Sequence, residues 1–233
     1  MSGMRGWTRQ RTYNECSHSF VIARAIADTV PQFNSRIMTA LTLPLKLELN
    51  HVHLTDEQFY QLCIHNPELD IERNKQGALI VMSPVGGETG SRELSFGGEL
   101  YLWNKQTGLG KVFSSSTMFK LPDGGSRSRD AAWVELSRWQ ALTPEQRQKF
   151  PPIAPDFVLE LSSRTDDLPT LHEKMQEYME SGVRLAWLIN PQDQQVETYR
   201  LGKEIEVQKL PVSLLGEDVL PGFVLTVARF DDE

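Results

Sequence analysis

Apolar and polar positions alternate regularly only from about residue 54 onward. Thr55, Asp56 and Glu57 precede Phe59, Leu62 and Cys63, which is N-cap chemistry followed by helical spacing and predicts a short helix over 55–65. Two extended pieces around Lys75-Gln76-Gly77 predict a β-hairpin from Glu68 to Met82, ending at Ser83-Pro84. The loop PVGGETG leads into Leu94, Phe96, Leu100, Leu102 and Trp103, predicting a helix over 88–106 closed at Gly108-Leu109-Gly110. Strand-like segments follow at 111–120, 129–135 and 156–161. The first two are joined by the turn Pro122-Asp123-Gly124-Gly125, and a polar insert with a helix start at Thr143-Pro144-Glu145 precedes the third. Pro169 and Gly182 frame another helix, and Val183 to Ile189 reads as a buried strand. A hairpin over 195–210, turning at Leu201-Gly202-Lys203, and a strand over 222–227 complete an α/β pattern without internal repeats.

Residues 1–37 hold neither period and are expected to stand outside the fold, as an unstructured leader or a mis-assigned start ahead of Met38. One domain is expected over 38–233.

Composition narrows the class. With 39% apolar and 24% charged residues among 233, the chain is globular, and its short apolar runs fall far below the roughly 20 residues of a membrane-spanning helix. Two cysteines, Cys16 and Cys63, supply neither a disulfide framework nor a four-thiolate zinc site, so a cytoplasmic location without membrane contact is expected. The net charge of −7 is uneven. Residues 1–37 carry +3, and 111–150, with seven basic and four acidic residues, also carry +3. An acidic chain meets nucleic acid through such a local basic face or through metal ions held by carboxylates.

The segment Pro155 to Leu161 (PDFVLEL) places Asp156, Val158 and Glu160 on one strand face. Glutamate in an apolar strand needs a cation beside it, either a metal or the partner in a salt bridge. Asp156 stands about 13 Å from Glu160 along a strand rising roughly 3.3 Å per residue, too far to share one ion. Asp130, on a face with Ala132 and Val134, is the natural partner, leaving Asp156 an outer or structural carboxylate. In LPTLHEKMQEYMESG, Lys174 falls at the edge of the apolar stripe, positioned either to reach into a site or to snorkel to solvent.

Other features carry less. His51 and His53 are too few for a zinc site, and the glycines from 86 to 90 lack a Gly-Lys-Ser/Thr ending. Ser114 to Thr117 lacks a base pattern, and Trp133, Trp139 and Trp187 read as packing residues.

The order of elements, with Asp130, Glu160 and Lys174, resembles the PD-(D/E)XK nuclease superfamily and its branch named the putative restriction endonuclease family. The segments IERNKQGALIVMSPVGGETGSR, FKLPDGGSRSRDAAWV, PDFVLEL, LHEKMQEYMESGVRLAWLINP and GEDVLPGFVL carry the resemblance from about Leu54 to Val227. It implies a restriction-endonuclease-like α/β core, a mixed sheet flanked by helices in the order helix, three strands, helix, strand, with added N- and C-terminal hairpins. It implies Asp130 and Glu160 as catalytic ligands of Mg2+, with Mn2+ as substitute, and Lys174 as a catalytic lysine displaced from the sequential position that Ser162 occupies. Glu72 matches an acidic position and would be an outer ligand or hold a basic residue; Asp156 and Ser162 are further outer candidates. Arg129 stands where the family shows proline. With Arg127 it is a candidate phosphate contact, while a salt bridge from Arg129 to Asp130 would instead weaken catalysis. The implied activity is DNA phosphodiester hydrolysis, and paired cutting sites would suit a homodimer. The rival expectation is a nuclease-like module that binds DNA or a protein partner without cutting.

Overall fold

The structure, a computed structural model, describes residues 43–230; the expected leader and the residues from Met38 to Thr42 lie outside them. The described chain runs β1 (Leu45–Leu47), α1 (Asp56–His65), β2 (Ile71–Arg73), β3 (Leu79–Val81), α2 (Gly87–Thr107), β4 (Gly110–Ser114), β5 (Phe119–Lys120), β6 (Ser126–Arg127) and β7 (Ala131–Glu135). It continues through α3 (Leu136–Gln140), α4 (Pro144–Gln148), β8 (Phe157–Leu161), α5 (Leu168–Glu180), β9 (Leu185–Asn190), β10 (Gln195–Arg200), β11 (Glu206–Lys209), β12 (Val212–Leu215) and β13 (Val224–Val227).

Local chemistry sets the helix ends. Thr55 caps α1 and Thr143 caps α4 through reciprocal capping boxes with Gln58 and Gln146. Gly108 closes α2 at φ 67°, where a side chain would clash with the backbone. Asp167 accepts from Thr170 N at 3.1 Å to start α5.

A six-stranded sheet in the order β11-β10-β9-β8-β7-β4 forms the centre. Only β8 and β9 are parallel, as expected for strands linked by the helix α5, and the remaining pairs are antiparallel. The period of two divides its side chains cleanly. Ala131, Trp133, Phe157, Leu159, Trp187 and Ile189 face α2 and the β12–β13 hairpin. Ala132, Val134, Val158, Ala186 and Leu188 face Leu171, Met175 and Tyr178 of α5. A five-stranded sheet, β1-β3-β2-β6-β5, packs its apolar side against Phe59 of α1.

Three expectations change. The strand expected over 111–120 is two strands in different sheets, because the chain turns at Ser115–Thr117 after β4 and re-enters as β5 beside β6. The Pro122–Gly125 turn therefore closes β5–β6, whereas β4 pairs directly with β7. The final strand pairs with β12, whose Val212-Ser213-Leu214-Leu215 run gave no clear alternation. His51 and His53 lie exposed outside any strand, after β1. Among the described residues, no helix is long and apolar enough to cross a membrane.

Candidate active site

Ala131 pairs with Leu159 across β7 and β8, so Asp130 and Glu160 stand opposite one another one step further on. Glu160 lies on the α5 side of the sheet, against Lys174 and Tyr178, whereas Asp130, just ahead of β7, also reaches the cleft lined by α2. Leu161 N donates to Asp130 Oδ2 at 2.6 Å, fixing one carboxylate oxygen. Glu160 Oε1 accepts from Tyr178 Oη at 2.6 Å and lies 3.0 Å from Lys174 Nζ.

Lys174 is only 8% exposed, so it does not snorkel. Its ammonium bridges Glu160 and Glu72, 3.1 Å away. Burial alone would lower its pKa, but the two carboxylates outweigh that and hold it well above the ordinary lysine value.

Glu72, 1% exposed on β2, is fully committed. Its Oε1 accepts from Ser128 N at 3.1 Å and Ser128 Oγ at 2.8 Å, besides facing Lys174, and its Oε2 meets Arg127 at 3.0 Å. Burial opposes ionisation of Glu72, yet Lys174, Arg127 and Ser128 together bring its pKa down to about 2. Of the two expected roles, holding a basic residue fits this geometry, whereas an outer metal ligand would need a free oxygen.

Two side chains the sequence reading passed over complete the network. Glu177 is buried against Arg127, and the Tyr178 hydroxyl that meets Glu160 also lies 2.9 Å from Ser128 O. A Cβ at Gly125 would sit 2.2 Å from Glu177 Oε1, so the turn must be glycine there for Glu177 to reach Arg127. The signal was the i, i+3, i+4 spacing of Lys174, Glu177 and Tyr178 on one helix face.

The expected phosphate contacts from Arg127 and Arg129 are corrected. Arg127 is buried between Glu72 and Glu177. Arg129, 2% exposed, lies over Phe119 at 4.5 Å and Tyr178 at 5.1 Å, donates to Arg127 O, and makes no ion pair with Asp130 among the described residues. Asp156 is also displaced from the site. It anchors the opposite end of β8, accepting from Glu135 N at 2.8 Å and pairing with Arg138 at 2.7 Å. Ser162 Oγ donates to Gln192 at 2.9 Å, away from the lysine.

Glu93 of α2 is the other carboxylate the sequence did not single out. It shares with Asp130 a cleft of about 620 Å³ between α2 and β4. Burial and the facing Glu160 and Glu93 raise the Asp130 pKa well above the ordinary value. Glu160 is raised by burial and Glu72 against the pull of Lys174 and Tyr178, and Glu93 by burial, Glu160 and Asp166. Mutually repelling hard oxygen donors at the end of an open cleft suit a divalent cation. Among the described residues no three His, Cys, Asp or Glu side chains converge to cage an ion alone.

A mixed sheet presenting an opposed Asp–Glu pair to a helix-borne lysine defines a restriction-endonuclease-like protein. The chain belongs to the Uma2 family, described as "Putative restriction endonuclease", which it matches over residues 56–228. Its fold is similar to that of a "putative nuclease belonging to DUF820" from Anabaena variabilis ATCC 29413. The TM-score is 0.57 and the identity 21%, over 68% of this chain and 88% of that one. No curated protein matches the chain.

Proposed function

We propose that the chain is a metal-dependent endonuclease hydrolysing DNA phosphodiester bonds, with Asp130, Glu160 and Lys174 as its catalytic residues. The observation that carries this reading is the convergence of Lys174 Nζ on Glu160 Oε1 at 3.0 Å, beside the opposed Asp130. Asp130 and Glu160 would hold Mg2+, or Mn2+ in its place. When bound, such an ion polarises a phosphoryl oxygen and lowers the pKa of a coordinated water.

The protein's own groups supply order and charge. Leu161 N and Tyr178 Oη fix the carboxylates, so little reorganisation is needed when a substrate arrives. Lys174 remains protonated at neutral pH and offers its charge and protons to a phosphate oxygen or attacking water near Glu160. Glu72 keeps that ammonium in place when Glu160 is drawn to a cation, and Arg127 with Glu177 holds Glu72. DNA is the proposed partner, and a homodimer would present two sites to a duplex.

The test is supercoiled-plasmid nicking with Mg2+ or Mn2+, running the parent beside Glu160→Ala and Lys174→Ala. Metal-dependent nicking by the parent and its loss in both variants is expected. Retained nicking in Glu160→Ala sinks the assignment of the site, and absence of nicking by the parent, with no metal-induced rise in Tm, leaves the non-cutting module as the function.

A further inference from the structure

One face of α2 is left without a protein partner among the described residues. Phe96 and Leu100 turn into the core, while Gly90, Glu93, Leu94, Gly97, Gly98 and Tyr101, at i, i+3, i+4, i+7, i+8 and i+11, line the cleft. Leu94 is 78% and Tyr101 54% exposed. The opposite wall is the apolar and hydroxyl run from Val112 to Thr117, on and just after β4, an edge strand of the central sheet. Asp130 lines the same cleft, so whatever enters it lies against the proposed cutting site.

The chemistry of the lining selects the occupant. Among the described residues no lysine or arginine lines the cleft and two carboxylates do, so away from an ion held at Asp130 the sugar-phosphate backbone finds no cation along it. A flat, uncharged group with an apolar face and amino donors fits better: Tyr101 and Leu94 offer stacking and apolar contact, and Glu93 is an acceptor for an exocyclic amine. About 620 Å³ is ample for one nucleotide and lies within the usual range of ligand pockets, about 300–1,000 Å³.

The two helical glycines agree. Interior glycine weakens a helix relative to alanine, yet a Cβ at Gly98 would meet nothing within 4 Å, and one at Gly97 only Ala131 Cβ at 3.9 Å. Packing among the described residues does not call for glycine there, and its absence of a side chain leaves the floor of the cleft open.

We infer that this cleft is a subsite for an unpaired nucleobase next to the scissile phosphate, making the preferred substrates nucleic acids with an unpaired nucleotide rather than fully paired duplex. The inference rests on the nuclease reading above and deepens it.

Oligonucleotides carrying 2-aminopurine, unpaired in a bubble or paired in a duplex, are titrated with the full chain in Ca2+ in place of Mg2+, parent beside Gly98→Leu and Tyr101→Ala. The parent is expected to bind the unpaired probe about tenfold or more tightly than the paired one, with a change in probe fluorescence. Both variants should lose that preference without a fall in Tm, since a side chain added at Gly98 would project into open space and leucine favours the helix over glycine. Equal binding of the two probes, binding of neither, or a preference that survives both variants overturns the subsite, whether or not the parent cuts DNA. A preference for the unpaired probe without cleavage in Mg2+ or Mn2+ supports the subsite and overturns the nuclease reading instead. A shift of Gly98→Leu to a smaller species on gel filtration assigns this face to a second copy of the chain and likewise overturns the subsite.

Discussion

Asp130 faces Glu160 across the β7–β8 ladder, one step beyond the Ala131–Leu159 pair. Asp130 is ionised at a cost, because it is buried and Glu160 and Glu93 stand near it. A raised folded-state pKa makes ionisation destabilising. For Asp130 that contribution is absent below the ordinary value of 3.8, grows as pH rises toward the folded-state pKa, and is constant above it. Asp130→Asn should therefore raise the Tm of the metal-free protein at pH 7, by about 2–4 °C per kcal/mol relieved, with no gain at pH 3. The same variant should lose the Mg2+-induced rise in Tm. Thermal melts at both pH values, with and without Mg2+, check this; a lower Tm at pH 7 would show that Asp130 contributes to the fold rather than strains it.

The same pair sets the pH dependence of metal binding. Metal and proton compete for carboxylates whose pKa values are raised. Mg2+ affinity should increase as pH rises through the raised carboxylate range, and calorimetry in buffers of different ionisation enthalpy should register proton release. Affinity independent of pH, with no proton release, would place the ion elsewhere.

Tyr178 couples two parts of the site with one hydroxyl, donating its single proton to Glu160 Oε1 at 2.6 Å while Ser128 O lies 2.9 Å from the same oxygen. Tyr178→Phe leaves the ring against Arg129 but removes that donor. A loss of about 1–3 kcal/mol of stability is expected from the buried acceptor left unpaired. Nicking should slow because Glu160 is no longer held, and denaturant unfolding alongside plasmid assays reads both. Unchanged stability and unchanged nicking would mean that the hydroxyl orders neither group.

Much of the fold was legible because a period of two along 129–135 and 156–161 is a direct record of which side faces which layer. The same record put Glu160 on the face that α5 covers, where Lys174 and Tyr178 meet it. What the sequence could not carry was contact between distant elements. Lys174 at the edge of an apolar stripe looks the same whether it reaches solvent or a carboxylate; only the arrival of β2 with Glu72 settles its direction. Arg127 and Arg129 read as phosphate contacts for the same reason, since their partners Glu177 and Tyr178 lie about 50 residues away in the chain. The break within 111–120 was hidden because strand propensity continues through the point where the chain changes sheets. Glu93 was missed because a carboxylate on a helix reads as a solvated face until β7 brings Asp130 to it.

Glu72 offers the sharpest test of the buried network. Its folded pKa of about 2 lies below the ordinary 4.5, so its ionised form stabilises the protein fully above pH 4.5, and that contribution is lost as pH falls through 2. Glu72→Gln keeps the size but leaves Arg127 and Lys174 each short of a charge partner in a buried setting. Breaking one side of such a pair costs about 3–5 kcal/mol, so a loss of that order is expected at pH 7 by denaturant unfolding. The gap between variant and parent should be the same at pH 7 and pH 5 and narrower at pH 3, where the parent's own Glu72 begins to protonate on unfolding. A gap that stays constant down to pH 3 would mean the glutamate acts through its shape and hydrogen bonds to Ser128 rather than through its charge. In that case Lys174 would owe its position to Glu160 alone.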